Sequence, residues 1–269
     1  MNFSLLNFPR NPVRKNGNKP IFQDDFNTET LQKEKWFPYY LPQWSSRRKS
    51  KPTYVIANGK LKLQITKSQK PWCPEFDGAV KCSSIQTGVF SGKKGSPFGQ
   101  HRFNKKCRVR EEQTRQSTFL KQYGYFEIRA KFAGSTSNVI SLWMIGFEDL
   151  PHKSAEICVF EIKGWNIRGS HAKIGYGLHA FGDPAIQEAF YEDEHQIDVK
   201  KFHIYAVKWT SKKVSFYIDN KKVREIPQSP GYEMQLMLGI YRIPGKENIA
   251  DKHDTYPNEF MIDYVRVYQ

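Results

Sequence analysis

Glu156-Ile157-Cys158-Val159-Phe160-Glu161 decides how the chain is read, because it places two carboxylates five positions apart in an apolar, β-forming run. Side chains alternate in a regular strand, so positions an odd number apart face opposite sides of a sheet. One extra residue at Val159 or Phe160, a β-bulge, shifts that phase by one. It would put Glu156, Cys158 and Glu161 on one face, with Ile157 and Val159 packed behind them. The two glutamate Cα atoms would then lie roughly 13 Å apart at about 3.3 Å per residue. Side chains leaning together from a curved strand bring carboxyls to about 5–5.5 Å, the separation at which one attacks a sugar carbon while the other serves as acid, then base. The competing interpretation is a strand with exposed glutamates at its ends, blunting aggregation or meeting a cross-strand lysine.

Outward from this stretch the pattern remains β. Apolar alternation recurs in Leu61–Ile65 and Val214–Ile218, helical periodicity is scarce, and aromatic residues make up 14% of the chain. Asn58-Gly59 and Asp219-Asn220 tolerate the positive φ of tight turns and predict hairpins. Further strands are predicted at 123–132, 139–146, 155–163, 173–181, 202–209, 234–241 and 260–267. Many short strands with loops between them fit an all-β sandwich of two antiparallel sheets. At 269 residues the chain suits a single domain over 1–269, with 1–19 an irregular N-terminal extension.

Several segments, in order, resemble glycoside hydrolase family 16. They are Asp24-Asp25-Phe26 with Trp36 downstream, Tyr123–Lys131, Ser141-Leu142-Trp143-Met144, the Glu156–Glu161 signature, Phe202-His203-Ile204-Tyr205 ending in Trp209, and Asp263–Tyr268. The resemblance implies a β-jelly roll of the concanavalin A-like lectin and glucanase type, with substrate lying across the concave sheet. It implies a retaining endo-glycoside hydrolase acting on β-linked polysaccharide, β-1,3- or β-1,3/1,4-glucan first and galactans second, with Glu156 as nucleophile and Glu161 as acid/base. Cys158 departs from the family pattern, which has an aspartate there. A neutral thiol supplies neither the charge nor the strong hydrogen bonding of that carboxylate. Burial of the glutamates would have to supply the missing pKa shift by desolvation. The departure also leaves open a carbohydrate-binding protein that has lost hydrolysis, and transglycosylation shares the first chemical step.

Flat aromatic faces suit sugar C–H edges, which singles out Trp143 and Trp165, with Trp72 before them. His179 occupies the strand where family members often carry a cleft-facing histidine, with a structural role as the alternative. By the same resemblance Asp263 is a candidate ligand for a structural calcium on the convex side, or a strand aspartate bonded to nearby backbone. No cofactor is required by the chemistry. Arg129 is either a sheet-face cation orienting an acidic residue near the cleft or simply the exposed partner of Glu127's strand neighbours.

The net charge of +15 concentrates at Arg47–Lys51 and between Lys93 and Arg115. It points to an anionic polysaccharide partner or to a solvated loop face, the segment 90–117 being predicted as a long loop. No helix-turn-helix, zinc-finger or RNP pattern accompanies the charge, so nucleic acid is not an expected partner. Cys73, Cys82, Cys107 and Cys158 lack Cys-x-x-Cys spacing and are expected reduced. The first ten residues lack a secretory pattern and no stretch is long enough to span a bilayer, so a soluble monomer is expected, cytoplasmic unless a leader has been removed or export is non-classical.

Overall fold

The computed structural model describes residues 6–246 and 255–269. Among these, helix is confined to a single turn, α1 (Pro74–Asp77), and a 3-10 turn at Pro42–Trp44. The rest of the regular structure is antiparallel sheet. One sheet runs in the order β11 (Ala189–Gln196), β10 (His171–His179), β9 (Glu156–Arg168), β8 (Asn138–Gly146), β15 (Met234–Arg242), β4 (Lys81–Gln86). The other runs β14 (Lys221–Ile226), β13 (Val214–Ile218), β12 (His203–Trp209), β7 (Gly124–Ala133), β16 (Asn258–Tyr268), β3 (Leu61–Ile65), β2 (Thr53–Ile56), with β1 (Phe22–Asp24) also paired to β16. A two-stranded ribbon, β5 (Gly88–Val89) and β6 (Gln116–Ser117), stands apart.

The two large sheets pack face to face as a jelly-roll sandwich. Ile140, Leu142, Ile157, Val159, Phe160, Ile162, Ile174 and Leu238 from the first meet Phe126, Ile128, Tyr205, Val207, Phe260 and Val265 from the second. The Phe160 ring stacks on Tyr205 at 4.2 Å between centroids and 16° between planes. Each such ring contributes about 1.5–3 kcal/mol by burial, with roughly 0.5–1.5 kcal/mol more for the pair geometry, so apolar contact dominates here. The hairpins form where the turn residues place them: Asn58 and Gly59 have φ of 54° and 62°, Asp219 and Asn220 of 49° and 64°.

The ordered motifs at the chain ends are structural. Asp24 is buried, accepts the Trp36 indole N–H at 2.8 Å, and accepts the Phe26 backbone N–H at 2.9 Å. Residues 6–19 contain no strand and lie along the second sheet. Arg129 donates to the Phe8 carbonyl at 2.6 Å, Arg266 to that of Asn11 at 2.9 Å, and the Tyr268 hydroxyl to that of Val13 at 3.0 Å.

Asp263 lies at a register shift of β16 against β7. Its carboxylate meets Arg129 at 2.6 Å, Arg10 at 3.3 Å and Lys60 at 3.9 Å. Three cations already neutralise that carboxylate and would repel a divalent ion, so the donor set does not fit the calcium implied by resemblance. Arg129 is accordingly the cation that orients Asp263, away from the cleft. No group of three or more candidate metal-ligating side chains occurs among the described residues.

Candidate active-site cleft

The bulge falls within the signature. On β8, Leu142 pairs with Phe160 and the next residue, Trp143, pairs with Cys158, so Val159 is the extra residue. On β10 the same irregularity lies between Gly175, opposite Glu161, and Gly177, opposite Cys158. Val159 and Phe160, adjacent in sequence, therefore both point into the core, which regular alternation forbids. Beyond the bulge Glu161, Lys163 and Trp165 continue the face begun by Glu156 and Cys158. All five line one cleft of about 340 Å³ on the outer face of the first sheet. Val139, Ser141 and Trp143 of β8 form its neighbouring row, and Tyr40, His101, Tyr241 and Ile243 complete it.

Two glycines keep β10 compatible with this arrangement. Gly177 has φ +148°, and a Cβ there would lie 2.2 Å from the Ala189 carbonyl oxygen. A Cβ on Gly175 would lie 2.6 Å from the Phe190 ring and 3.3 Å from the Glu161 Cβ. Absence of side chains at these points lets Phe190 pack beside the second glutamate.

Glu156 is buried, and burial, followed by the charges of Glu161 and then Glu188, holds its carboxyl well above the usual carboxylate range. Glu161 is half-buried and its carboxylate lies 3.1 Å from the Lys163 ammonium, which lies 3.1 Å from Glu192 on its other side. Cys158 is buried and its thiol is pushed well up, first by burial and then by Glu156 and Glu161. It is a neutral group between two carboxyls, unsuited to acting as a nucleophile. Burial thus raises the carboxyl of Glu156, the residue that the resemblance casts as nucleophile.

The aromatic candidates separate. Trp143 is 5% exposed, lines the cleft and donates its indole N–H to the Tyr241 hydroxyl at 3.2 Å. Trp165 lines the cleft farther along β9. Trp72 is buried beneath it, donating to Asp77 at 2.6 Å. His179 pairs across the strands with Glu156, but its ring is stacked on Phe190 and bonded through Nδ1 to Glu188 at 2.5 Å, and it does not line the cleft. The cleft histidine is His101, whose ring lies 5.1 Å from Trp143. Burial, then His179, lowers its pKa to about 4, so it is neutral above pH 5. His101, Tyr40 and Tyr241 belong to segments distant from the signature, which no local pattern identifies. Lys163 was missed, although alternation two residues past Glu161 would have placed it on the same face.

The basic segment 90–117 is largely irregular. It is anchored by Cys107 and Val109, which join Tyr40, Trp44, Trp72, Cys73, Cys82 and Trp143 in a small apolar cluster under the cleft rim. The four cysteines are buried and unpaired by disulfides. Beside the cleft, Glu148 accepts the His101 backbone N–H at 2.5 Å, and burial pushes its carboxyl up to about 8. Its effect on stability has a definite sign. Below about pH 4.5 both folded and unfolded chains hold this proton. As pH rises, the unfolded chain releases it while the folded one keeps it, and stability falls until about pH 8. Glu148→Gln should therefore match the parent near pH 4 and exceed it by roughly 3–5 kcal/mol at pH 9. Urea unfolding at both values checks this, and an equal difference at both would contradict it.

A cavity of about 510 Å³ also opens on the second sheet, beside Tyr125, Glu127 and Tyr217. It has only one carboxylate in its lining, so a two-carboxylate reaction belongs to the smaller cleft.

Known proteins resemble the chain over most of its length. The glycosyl hydrolases family 16 model matches residues 45–266. The chain belongs to glycosyl hydrolases family 16. Over 98% of this family 16 chain, a GlcNAcα1-4Gal releasing endo-β-galactosidase from Clostridium perfringens is 34% identical with a TM-score of 0.85, and 65% of that chain is covered. The glucan endo-1,3-beta-glucosidase A1 of Niallia circulans is 24% identical over 93% of this chain and 37% of its own length. LamAcat from Zobellia galactanivorans is 19% identical at a TM-score of 0.63, covering 94% of this chain and 98% of that one, and speaks for the fold alone. The family 16 chain here thus spans about a third of the Niallia protein and just under two thirds of the Clostridium chain. Among the described residues no helix is long and apolar enough to cross a membrane.

Proposed function

We propose that this chain is a retaining, endo-acting hydrolase of a β-linked polysaccharide, in which Glu156 attacks the anomeric carbon and Glu161 protonates the departing oxygen. The observation that carries the reading is the bulge at Val159, which turns both glutamates into one cleft. Glu161 then deprotonates the water that releases the glycosyl-enzyme. The pair needs one proton, on Glu161, with Glu156 ionised. In the free cleft burial favours the proton on Glu156. Positive charge developing at the anomeric centre favours an ionised Glu156 beside it. Lys163, with Glu192 as a second partner, remains paired when Glu161 takes up the proton. Trp143 and Trp165 offer apolar faces to the sugar rings, and Tyr40, His101 and Tyr241 offer hydrogen-bonding groups.

A galactosidic linkage is favoured over a glucan. The support is the 34% identity to the Clostridium endo-β-galactosidase over nearly the whole chain, against 24% to the Niallia glucan endo-1,3-beta-glucosidase. Cys158 favours a second reading, a glycan-binding protein without hydrolysis. Incubation with laminarin, mixed-linkage β-glucan, β-galactan and glycans carrying GlcNAcα1-4Gal, followed by mass analysis and NMR of the new reducing ends, tests both. Oligosaccharides released from a galactose-containing glycan with retained configuration are expected. Inverted products, or binding without any release, would overturn the proposal.

A further inference from the structure

Beyond His101 lies a second cavity of about 620 Å³, lined among others by Arg102, Phe103, Lys105, Glu148 and Phe181. His101 lines both this cavity and the glutamate cleft, so the two are neighbours along one surface. Phe181 stands at the boundary. It is 55% exposed, an unusual state for a large aromatic, and its backbone has φ +45°, a conformation that costs an L residue free energy. Its ring is braced edge-on against His101 at 4.9 Å between centroids and lies 5.5 Å from His179. An apolar ring held out at such a cost suits the C–H face of a sugar.

The charge lining this cavity is one-sided. Arg102 donates to the Lys105 carbonyl, and among the described residues neither Arg102 nor Lys105 has an ion pair with a carboxylate. Nearby Arg110, in contrast, is paired with Glu75. The acidic group in the cavity is Glu148, which burial keeps protonated at neutral pH, so it presents a hydrogen-bond donor in place of a negative charge. A hydroxyl-bearing ring with an acidic substituent meets each of these groups with its chemical complement, and the net charge of +15 draws it in.

We propose that this cavity is a second saccharide site on the path of the same glycan, where Phe181 supplies the stacking face and Arg102 with Lys105 recognises a sugar bearing a sulfate or carboxylate. The proposal rests on the reading of the main cleft as a glycan site. The glutamates set where the chain is cut, and this site selects which chains lie correctly for cutting.

The test uses Glu156→Gln protein, so that ligands survive, and three probes: a β-linked galacto-oligosaccharide, its sulfated counterpart and its counterpart with a uronic acid. Titration calorimetry at low salt should show the acidic probes binding roughly fivefold more tightly than the neutral one. Adding Arg102→Ala and Lys105→Ala together should erase that preference while leaving the neutral probe's affinity unchanged, and adding Phe181→Ala should weaken all three. Tighter binding of the sulfated probe alone, or of the uronate alone, identifies the acid and supports the site. Equal affinities for neutral and acidic probes, or a preference that survives the double replacement, would refute this site while leaving the main cleft intact. Failure of every probe to bind would remove both.

Discussion

Glu156→Gln should lower turnover on any cleavable glycan by at least about 10³-fold while leaving the protein folded and able to bind the same glycan. The amide keeps the shape of the side chain beneath Trp143 and Cys158 but cannot form the glycosyl-enzyme. The same replacement should raise stability. Burial holds the Glu156 carboxyl above its unfolded value, so above about pH 4.5 the unfolded chain gains from ionising while the folded one does not. Glutamine lacks that penalty, and the gain over the parent should grow with pH from near zero in acid. Loss of activity with a pH-dependent rise in urea midpoint marks a residue kept for chemistry at a cost in stability. Full turnover in this variant would refute the assignment. A variant that loses activity and stability together would place Glu156 among structural groups.

The sequence made the core strands legible because burial leaves a period. Leu61–Ile65, Val214–Ile218 and Lys221–Ile226 lie where alternation and the two hairpin turns put them. The signature strand runs on to Arg168, beyond its predicted end at 163, because past Ile162 it pairs with β10 through a second register shift. Edge strand β11 escaped notice: Tyr191-Glu192-Asp193-Glu194-His195-Gln196 is polar on both faces, as suits a strand with solvent on one side. In β4, Ser83 and Ser84 interrupt the apolar run although both are buried, since Ser83 is satisfied by a hydrogen bond to the Gln64 carbonyl at 2.7 Å.

The site divides along the same line. Carboxylates in an apolar run stand out, but their odd spacing puts them on opposite faces of a regular strand, so Glu156, Cys158 and Glu161 share a face only through the bulge, which the sequence could propose and the pairing of β8 with β9 shows. His179 was singled out by its strand, and cross-strand pairing does put it opposite Glu156. What decides its direction is Glu188, which comes from the following loop and claims its ring nitrogen. Tyr40 and His101 enter the cleft from long loops, where contact depends on packing of the Trp44, Trp72 and Cys107 cluster rather than on any local period. Chemistry was therefore readable along the signature strand, and the aromatic walls Trp143 and Trp165 with it, whereas the loop-borne walls Tyr40 and His101 were not.

Glu161→Gln separates the two glutamates by leaving group. An acid is needed only when the departing oxygen is a poor leaving group, so hydrolysis of polysaccharide should fall by about 10²–10⁴-fold. An aryl glycoside with an acidic phenol departs without protonation, so its first step should survive. Water, however, then lacks its base, and the glycosyl-enzyme should accumulate as a mass increment on the intact protein. Azide needs no base, and in this variant it meets no carboxylate at position 161, while Lys163 keeps Glu192 as its partner. Added azide should therefore restore turnover of the aryl substrate and give a glycosyl azide of retained configuration. Glu156→Gln should show neither the adduct nor the rescue. Equal losses on polysaccharide and aryl glycoside in Glu161→Gln, with no adduct, would mean that the residue positions the substrate and that the proton comes from elsewhere in the cleft.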